Sequence, residues 1–471
     1  MGRKERFYAD IMSVHSEVTG SCNIVTVRLP DGEKFHFIVD CGLFQGSKEE
    51  EEHNKELMFN PYNIDFCLVT HGHADHIGRL PLLVKKGYRK YIYTTDVTRS
   101  IMAPALKDSA RIIQSKAKRR REKAIYDDSD AEHTMEYVRG YNYNQWIHVR
   151  NNVDVMFLGN SHLYGAAMIL VRISYPQERD INILFTGDYN NKNLFFEPEP
   201  IPDWVYELPL TIVQESTYGY MNSSEIKETF VDNIIKCVSK GGTIVIPAFA
   251  LGRMQEVLYK LKVLQDLGTL PLEVDIYVDG KLGIMYTGMC KNGMLGVKKE
   301  MREFLPSNVV FVDKTTRGML LQDNAPKIIV TTSGMGSHGP AETYIPSYIT
   351  KKNALIQFTG YVAEGTLGRE LKEAPKGETI KIRGVLYKKE AEIEYTNEFS
   401  AHAKADEMIS FLQKFEKLNL VLVNHGEAPV KDIFAKRILR EVDTKNVAIL
   451  GQYFHRVNPY GLVTSKSTKF L

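Results

Sequence analysis

The chain has 471 residues, 60 Lys and Arg against 58 Asp and Glu for a formal net charge of +2, and 43% hydrophobic against 25% charged residues. This ordinary globular usage excludes disorder throughout, and the near balance of charge means that any field for a polyanion must come from local clustering. The length implies about three domains at roughly 150 residues each, and no stretch approaches the length of apolar chain that a membrane span needs.

The N-terminus, Met1 to Arg6, is charged and leads into no apolar segment, so the expected location is cytoplasmic, with no membrane partner. Residues 23–29, 35–40, 66–70, 153–158, 169–174 and 181–186 alternate or run apolar between polar breaks and read as sheet strands. Between them, residues 97–144 carry helix formers with Ile101, Ala105, Leu106 and Ala110 at helical spacing, and read as two helices joined by a charged turn. From about Glu215 strands and helices alternate (243–246, 253–264, 274–278, 309–312, 328–332, 354–358), the pattern of a parallel α/β sheet. The pattern returns near the end, with Met408, Phe411, Leu412 and Phe415 on one helix face, a strand at 420–423, and Val430, Ile433, Phe434 and Ile438 on another helix.

Cys22, Cys41, Cys67, Cys237 and Cys290 show no C-x-x-C spacing and read as reduced, mostly buried thiols. Two charge runs stand out. Residues 116–123 hold six basic residues against one Glu and could grip phosphates, a solvated helix face being the other reading. Residues 48–53, one Lys, four Glu and a His, read as an exposed loop or helix start.

The chemistry is concentrated in Thr70-His71-Gly72-His73-Ala74-Asp75-His76, three imidazoles and a carboxylate directly after a strand. No structural role needs that density. His71 and His73 can point together, while Asp75 and His76 open the next helix and can face a second ion. Imidazoles with one carboxylate suit zinc, with manganese or iron as alternatives. A two-metal site needs about three more ligands, one of them a carboxylate able to bridge. His162, after the strand ending at Leu158, and Asp188, closing Phe185-Thr186-Gly187-Asp188, stand where loops hold such groups.

Val39-Asp40-Cys41-Gly42, the H-x-H-x-D-H run, His162 and Thr186-Gly187-Asp188 resemble, in order, the signature motifs of the metallo-β-lactamase superfamily. The resemblance implies an α/β fold, the αββα metallo-β-lactamase sandwich, with Asp40 orienting His rings rather than binding metal. The continuation resembles the β-CASP nucleases, the group that includes the cleavage and polyadenylation endonuclease and its bacterial and archaeal relatives. Its carriers are Glu215 in Glu215-Ser216-Thr217-Tyr218-Gly219, residues 242–256 with Gly252-Arg253, Ser333-Gly334-Met335, residues 360–369, Phe399-Ser400-Ala401-His402-Ala403, and Asn424-His425-Gly426-Glu427. An inserted parallel α/β β-CASP domain is therefore expected at 218–394, between a first part of the metallo-β-lactamase domain at 1–217 and its C-terminal part at 395–471.

That resemblance assigns His71, His73 and His162 to one zinc ion, Asp75, His76 and His425 to a second, Asp188 as the bridge, and Glu215 as the residue that orients His402. It implies hydrolysis of single-stranded RNA, since a His at the position of His425 marks RNA-directed members where DNA-repair relatives commonly carry Val. Two ions would activate a hydroxide for in-line attack, and His402 would serve as general acid. Arg253 and Arg369, with the amides around Ser333, Gly334 and Gly365, are candidate phosphate contacts. Ser161 replaces a usual Gly and Tyr164 a common aliphatic, without loss of a donor. The chain is expected to be of the compact bacterial type, without the KH-like N-terminal extension of archaeal relatives or the long tail of eukaryotic ones. The segment 452–471, with Tyr453, Phe454, Tyr460 and Phe470, is expected either to fold back on its own domain or to pair across a homodimer. A small-molecule thioester or lactam hydrolase and a non-catalytic RNA-binding scaffold are the rival readings.

Overall fold

Alternation along the strands places two mixed sheets face to face. One runs, in spatial order, Gly461–Lys466, Phe454–Asn458, Tyr8–Ser13, Asn23–Arg28, Lys34–Val39, Phe66–Leu68, Ile92–Thr95 and Val138–Tyr141. The other runs Val447–Ile449, Lys417–Asn424, Pro209–Glu215, Ile181–Phe185, Ala167–Ile173, Val153–Gly159 and Ile147–Arg150. These elements come from a computed structural model that describes residues 6–15, 17–294 and 296–466; Met1 to Glu5 and Phe470, named above, lie outside the described residues.

Period two decides which side chain faces where. Phe35, Phe37 and Val39 point between the sheets, against Val155, Phe157, Ile169 and Ile183 of the opposite one. Ile38, one residue out of phase, packs outward with Ile77, Leu80, Leu83, Met102 and Leu106 of the covering helices. On the second sheet Met156 and Leu158 likewise turn outward to Met408, Leu412, Phe434 and Ile438. Helices therefore cover both outer faces, and the layers are the expected αββα sandwich.

The chain leaves the second sheet after Pro209–Glu215 and rejoins it in Lys417–Asn424, which lies parallel to that strand with Glu215 opposite Asn424. Between the two it builds a wholly parallel six-stranded sheet, ordered Val309–Phe311, Asp275–Asp279, Lys327–Thr331, Thr243–Pro247, Ala354–Phe358 and Glu392–Tyr395. Its central strands are near-continuously apolar because both faces are covered. Ile244, Ile246 and Ile276 meet Met254, Leu258 and Leu261 on one side. Val245, Ile329 and Ile356 meet Tyr344, Ile345 and Tyr348 on the other.

Four readings are refined by the structure. Two helices do lie in residues 97–144, Asp96–Arg120 and Asp128–Met135, but Val138–Tyr141 is a strand, captured by parallel pairing with Ile92–Thr95. The acidic run is the short helix Lys48–Glu52, started by Ser47, whose hydroxyl accepts from the Glu50 amide. Phe454–Asn458 folds back on its own domain, antiparallel to Tyr8–Ser13. The five cysteines are buried free thiols. Among the described residues no helix is long and apolar enough to cross a membrane.

Candidate metal centre

The proposed ligands stand on loops and one short helix at one edge of the sandwich. Phe66–Leu68 ends two residues before Thr70, and His73 caps the one-turn helix Ala74–Ile77 that carries Asp75 and His76. His162 and Asp188 follow Val153–Gly159 and Ile181–Phe185, and His425 follows Lys417–Asn424. Asp40 (φ 65°) and His425 (φ 48°) hold left-handed backbone without being glycine, a conformation that persists only where the surroundings enforce it. Gly42 is required by close approach, since a Cβ there would lie 1.4 Å from the carbonyl oxygen of Asp75.

Three groups of donor atoms form, one of them Asp188, Glu215 and His402, and the other two hold the expected ligands. His71, His73, His162 and Asp188 offer one set and Asp75, His76, Asp188 and His425 another, each with its ligand atoms within 4.8 Å of one another. In the first, Nδ1 of His73 lies 3.1 Å from both His71 Nε2 and His162 Nε2. His162 Nδ1 is 2.9 Å from the Ala401 carbonyl, to which it must donate, so its Nε2 turns a lone pair toward the other rings. Asp188 stands between the sets: Oδ2 is 3.2 Å from His76 Nε2 and 3.8 Å from His71 Nε2, and Oδ1 is 3.2 Å from His425 Nδ1.

The donor sets fit a pair of cations. His76 Nε2, His425 Nε2 and Asp188 Oδ1 are buried without a hydrogen-bond partner, a costly arrangement unless something else satisfies them. Burial, helped by the neighbouring imidazoles, pushes His71 and His162 well below the usual histidine range, toward the neutral form that ligates metal. For Asp188 burial works against ionisation, but the surrounding histidines, His425 and His76 foremost, outweigh it and hold the carboxyl well below its ordinary range.

Around the ligands lies a layer of supports. Asp40 is buried, takes the Thr70 amide at 2.8 Å and contacts His76 Nδ1 at 2.8 Å. The Thr70 hydroxyl bridges Asp40 and His71 Nδ1. No sequence pattern singled out Thr70; the only signal is its place between strand and ligands. Glu215 receives the Tyr189 amide at 2.8 Å and reaches His402 Nδ1 at 3.0 Å, while His402 Nε2 is 4.0 Å from Asp188 Oδ2. Burial alone would lower the His402 pKa, yet Glu215 and Asp188 together raise it.

The ligands open into a cavity of about 660 Å³ between the sandwich and the inserted domain. His73, Asp75, His162, Asp188, His402 and His425 form its floor, and Phe249, Leu251, Arg253, Ser333 and Tyr361 come from the insert. The phosphate-contact candidates separate here. Arg253 lines the cavity, but its guanidinium already bonds the Thr359 carbonyl and pairs with Glu256 at 3.3 Å. Ser333 lines it too, whereas Gly334 packs behind it against Phe249. Arg369 pairs with Glu373 one turn on and is absent from the wall. Residues that sequence reasoning missed are Tyr218 and Tyr361, an aromatic rim whose Tyr361 hydroxyl meets Glu427 at 2.7 Å.

Comparison with known families matches three models in succession: the metallo-beta-lactamase superfamily over residues 18–227, the Beta-Casp domain over 254–371, and the Zn-dependent metallo-hydrolase RNA specificity domain over 387–450. A ribonuclease of Thermus thermophilus is 28% identical over 420 residues, 87% of this chain and 91% of that protein. An RNase J-like protein of Methanocaldococcus jannaschii is 29% identical over 426 residues, with the same two coverages. A transcription termination factor of Methanosarcina mazei is 28% identical over 436 residues, and the alignment spans 87% of this chain and 65% of the factor.

Proposed function

We propose, on the premise that the chain belongs to the β-CASP ribonuclease family of the metallo-β-lactamase superfamily, that it is a zinc-dependent hydrolase of phosphodiester bonds in single-stranded RNA. The observation that carries this reading is Asp188, shared between two donor sets on the floor of a cavity that the inserted domain roofs. His71, His73 and His162 would hold one ion, Asp75, His76 and His425 the other, and Asp188 both. Two bound cations supply a water-derived nucleophile near neutral pH and neutralise phosphate charge.

The chain's own residues do the rest. Asp40, through His76 and Thr70, sets the rings that would hold the ions. Glu215 fixes His402 by its Nδ1, which leaves Nε2 beside Asp188 at the cavity floor. A histidine whose pKa is raised by Glu215 and Asp188 is suited to deliver a proton to the leaving oxygen. The cavity is walled by the sandwich on one side and the insert on the other, a shape that supports an extended single strand over a duplex. A small thioester or lactam would leave Glu215, His402 and the insert without a task, and a scaffold would not need every ligand in place. We divide the chain as 1–217 and 395–471 for the sandwich and 218–394 for the insert.

The test is cleavage of 5′-labelled single-stranded RNA and matching DNA by zinc-loaded and metal-stripped protein. RNA-selective, metal-dependent cutting is expected, and product lengths report internal against terminal attack. Intact RNA in the presence of two bound ions would overturn the reading.

A further inference from the structure

The basic run at residues 116–123 is left unused by the metal chemistry, yet it borders it. Lys116, Arg119 and Arg120, at the end of helix Asp96–Arg120, line the same cavity as His73, Asp75, Asp188 and His402. Arg120 and Lys123 line an adjoining depression of about 120 Å³. The basic surface is therefore continuous from the cavity wall to the outside of the molecule.

Two carboxylates hold its inner members. Glu51 receives Lys116 at 2.6 Å and Arg120 at 2.8 Å, and Glu342 receives Arg119 at 3.2 Å and Arg383 of the inserted domain at 3.0 Å. The acidic run read from sequence as an exposed loop or helix start thus supplies an anchor for the basic one. Lys118, Arg121 and Lys123 are exposed, and no ion pair joins them to a carboxylate among the described residues. Glu122, their one acidic neighbour in the run, is 3.2 Å from Lys55. Across the tract, four cations share two carboxylates and three more are unshared, a strongly positive balance in a chain whose total is only +2.

We infer that Lys118, Arg121 and Lys123 hold the phosphates of the single-stranded RNA outside the cavity, and that Lys116, Arg119 and Arg120 guide the strand at its rim. The inference rests on the ribonuclease reading of the adjoining site. A helix end offers carbonyls rather than amide donors to an anion, so recognition here is through side-chain charge alone. Such contacts position the strand without reading its bases or its sugar.

The experiment compares the zinc-loaded full chain with its Lys118→Gln/Arg121→Gln/Lys123→Gln variant, all three sites being exposed. Binding of a phosphorothioate RNA of about 30 nucleotides is followed against salt, and cleavage of a long RNA is set beside that of a tetranucleotide. Loss of three phosphate contacts should lower the slope of log affinity against log salt by about 2. The variant's KM for long RNA should rise roughly 100-fold near 0.1 M salt, with kcat and tetranucleotide cleavage unchanged. An unchanged salt slope, an equal loss on the tetranucleotide, or tighter binding to phosphatidylserine vesicles than to RNA would each overturn the tract. A wild-type chain that binds RNA with the steeper slope but leaves it uncut would support the tract and overturn the ribonuclease reading instead.

Discussion

Asp188 in the sandwich and Asp279 in the inserted domain are both strand-end aspartates, 2% and 1% exposed, and they are satisfied in opposite ways. Asp279 accepts both arms of Arg317, at 2.6 and 2.7 Å, and the Tyr344 hydroxyl at 2.8 Å. Asp188 faces His71, His76, His162, His402 and His425, and its Oδ1 has no hydrogen-bond partner. A buried charge that closes on its own partners holds a fold together, whereas one that leaves donors idle is prepared for a species from outside.

Substitution can break that comparison, and Asp188→Asn is the most severe case. It should drop RNA cleavage to background and the bound zinc below two per chain, read by metal analysis beside the cleavage gel. Full activity in Asp188→Asn would remove the shared-ligand assignment. His402→Ala should slow cleavage by about 100-fold to 10,000-fold while both ions stay bound, and a rate within a fewfold of wild type would exclude His402 as the acid.

Smaller effects sharpen the contrast. Asp40→Asn keeps the shape but alters the hydrogen bond to His76, and zinc affinity by competitive chelation should fall roughly 10-fold to 100-fold. Glu215→Gln removes a charge that raises the His402 pKa. The protonated form is then lost at lower pH, so the alkaline limb of the kcat profile should move toward acid; a limb that stays in place would detach Glu215 from His402. Asp279→Asn, by contrast, should cost about 3 kcal/mol in urea unfolding, at the lower edge for a broken buried pair because Arg317 is partly exposed. Zinc content and kcat should not change, and any loss of metal there would erase the distinction between the two aspartates.

How much of this was legible beforehand differs by range. Five strands of the insert and its helix Arg253–Asp266 followed from apolar runs, because a covered parallel sheet needs them, whereas its other helices and the edge strand Glu392–Tyr395 did not. Val138–Tyr141 was not legible, since four residues with a central Gly140 carry no strand signal until Ile92–Thr95 offers a partner. Arg369 shows what local pattern leaves open: its charge and helix-start position suit a phosphate, and only the structure shows that Glu373 one turn away is paired with it.

By itself the amino-acid sequence determined the donor types, their spacing from His71 to His76, and the order of the later ligands, because short-range geometry after a strand is nearly independent of the rest of the fold. Only the tertiary structure decided that His425 meets Asp188, that Asp40 holds His76, and that Glu51 anchors Lys116 and Arg120. Those pairings depend on strand register, with Pro209–Glu215 parallel to Lys417–Asn424, and on where a 25-residue helix ends in space. Register is set by the packing of both sheets at once, and no local stretch of sequence contains that information.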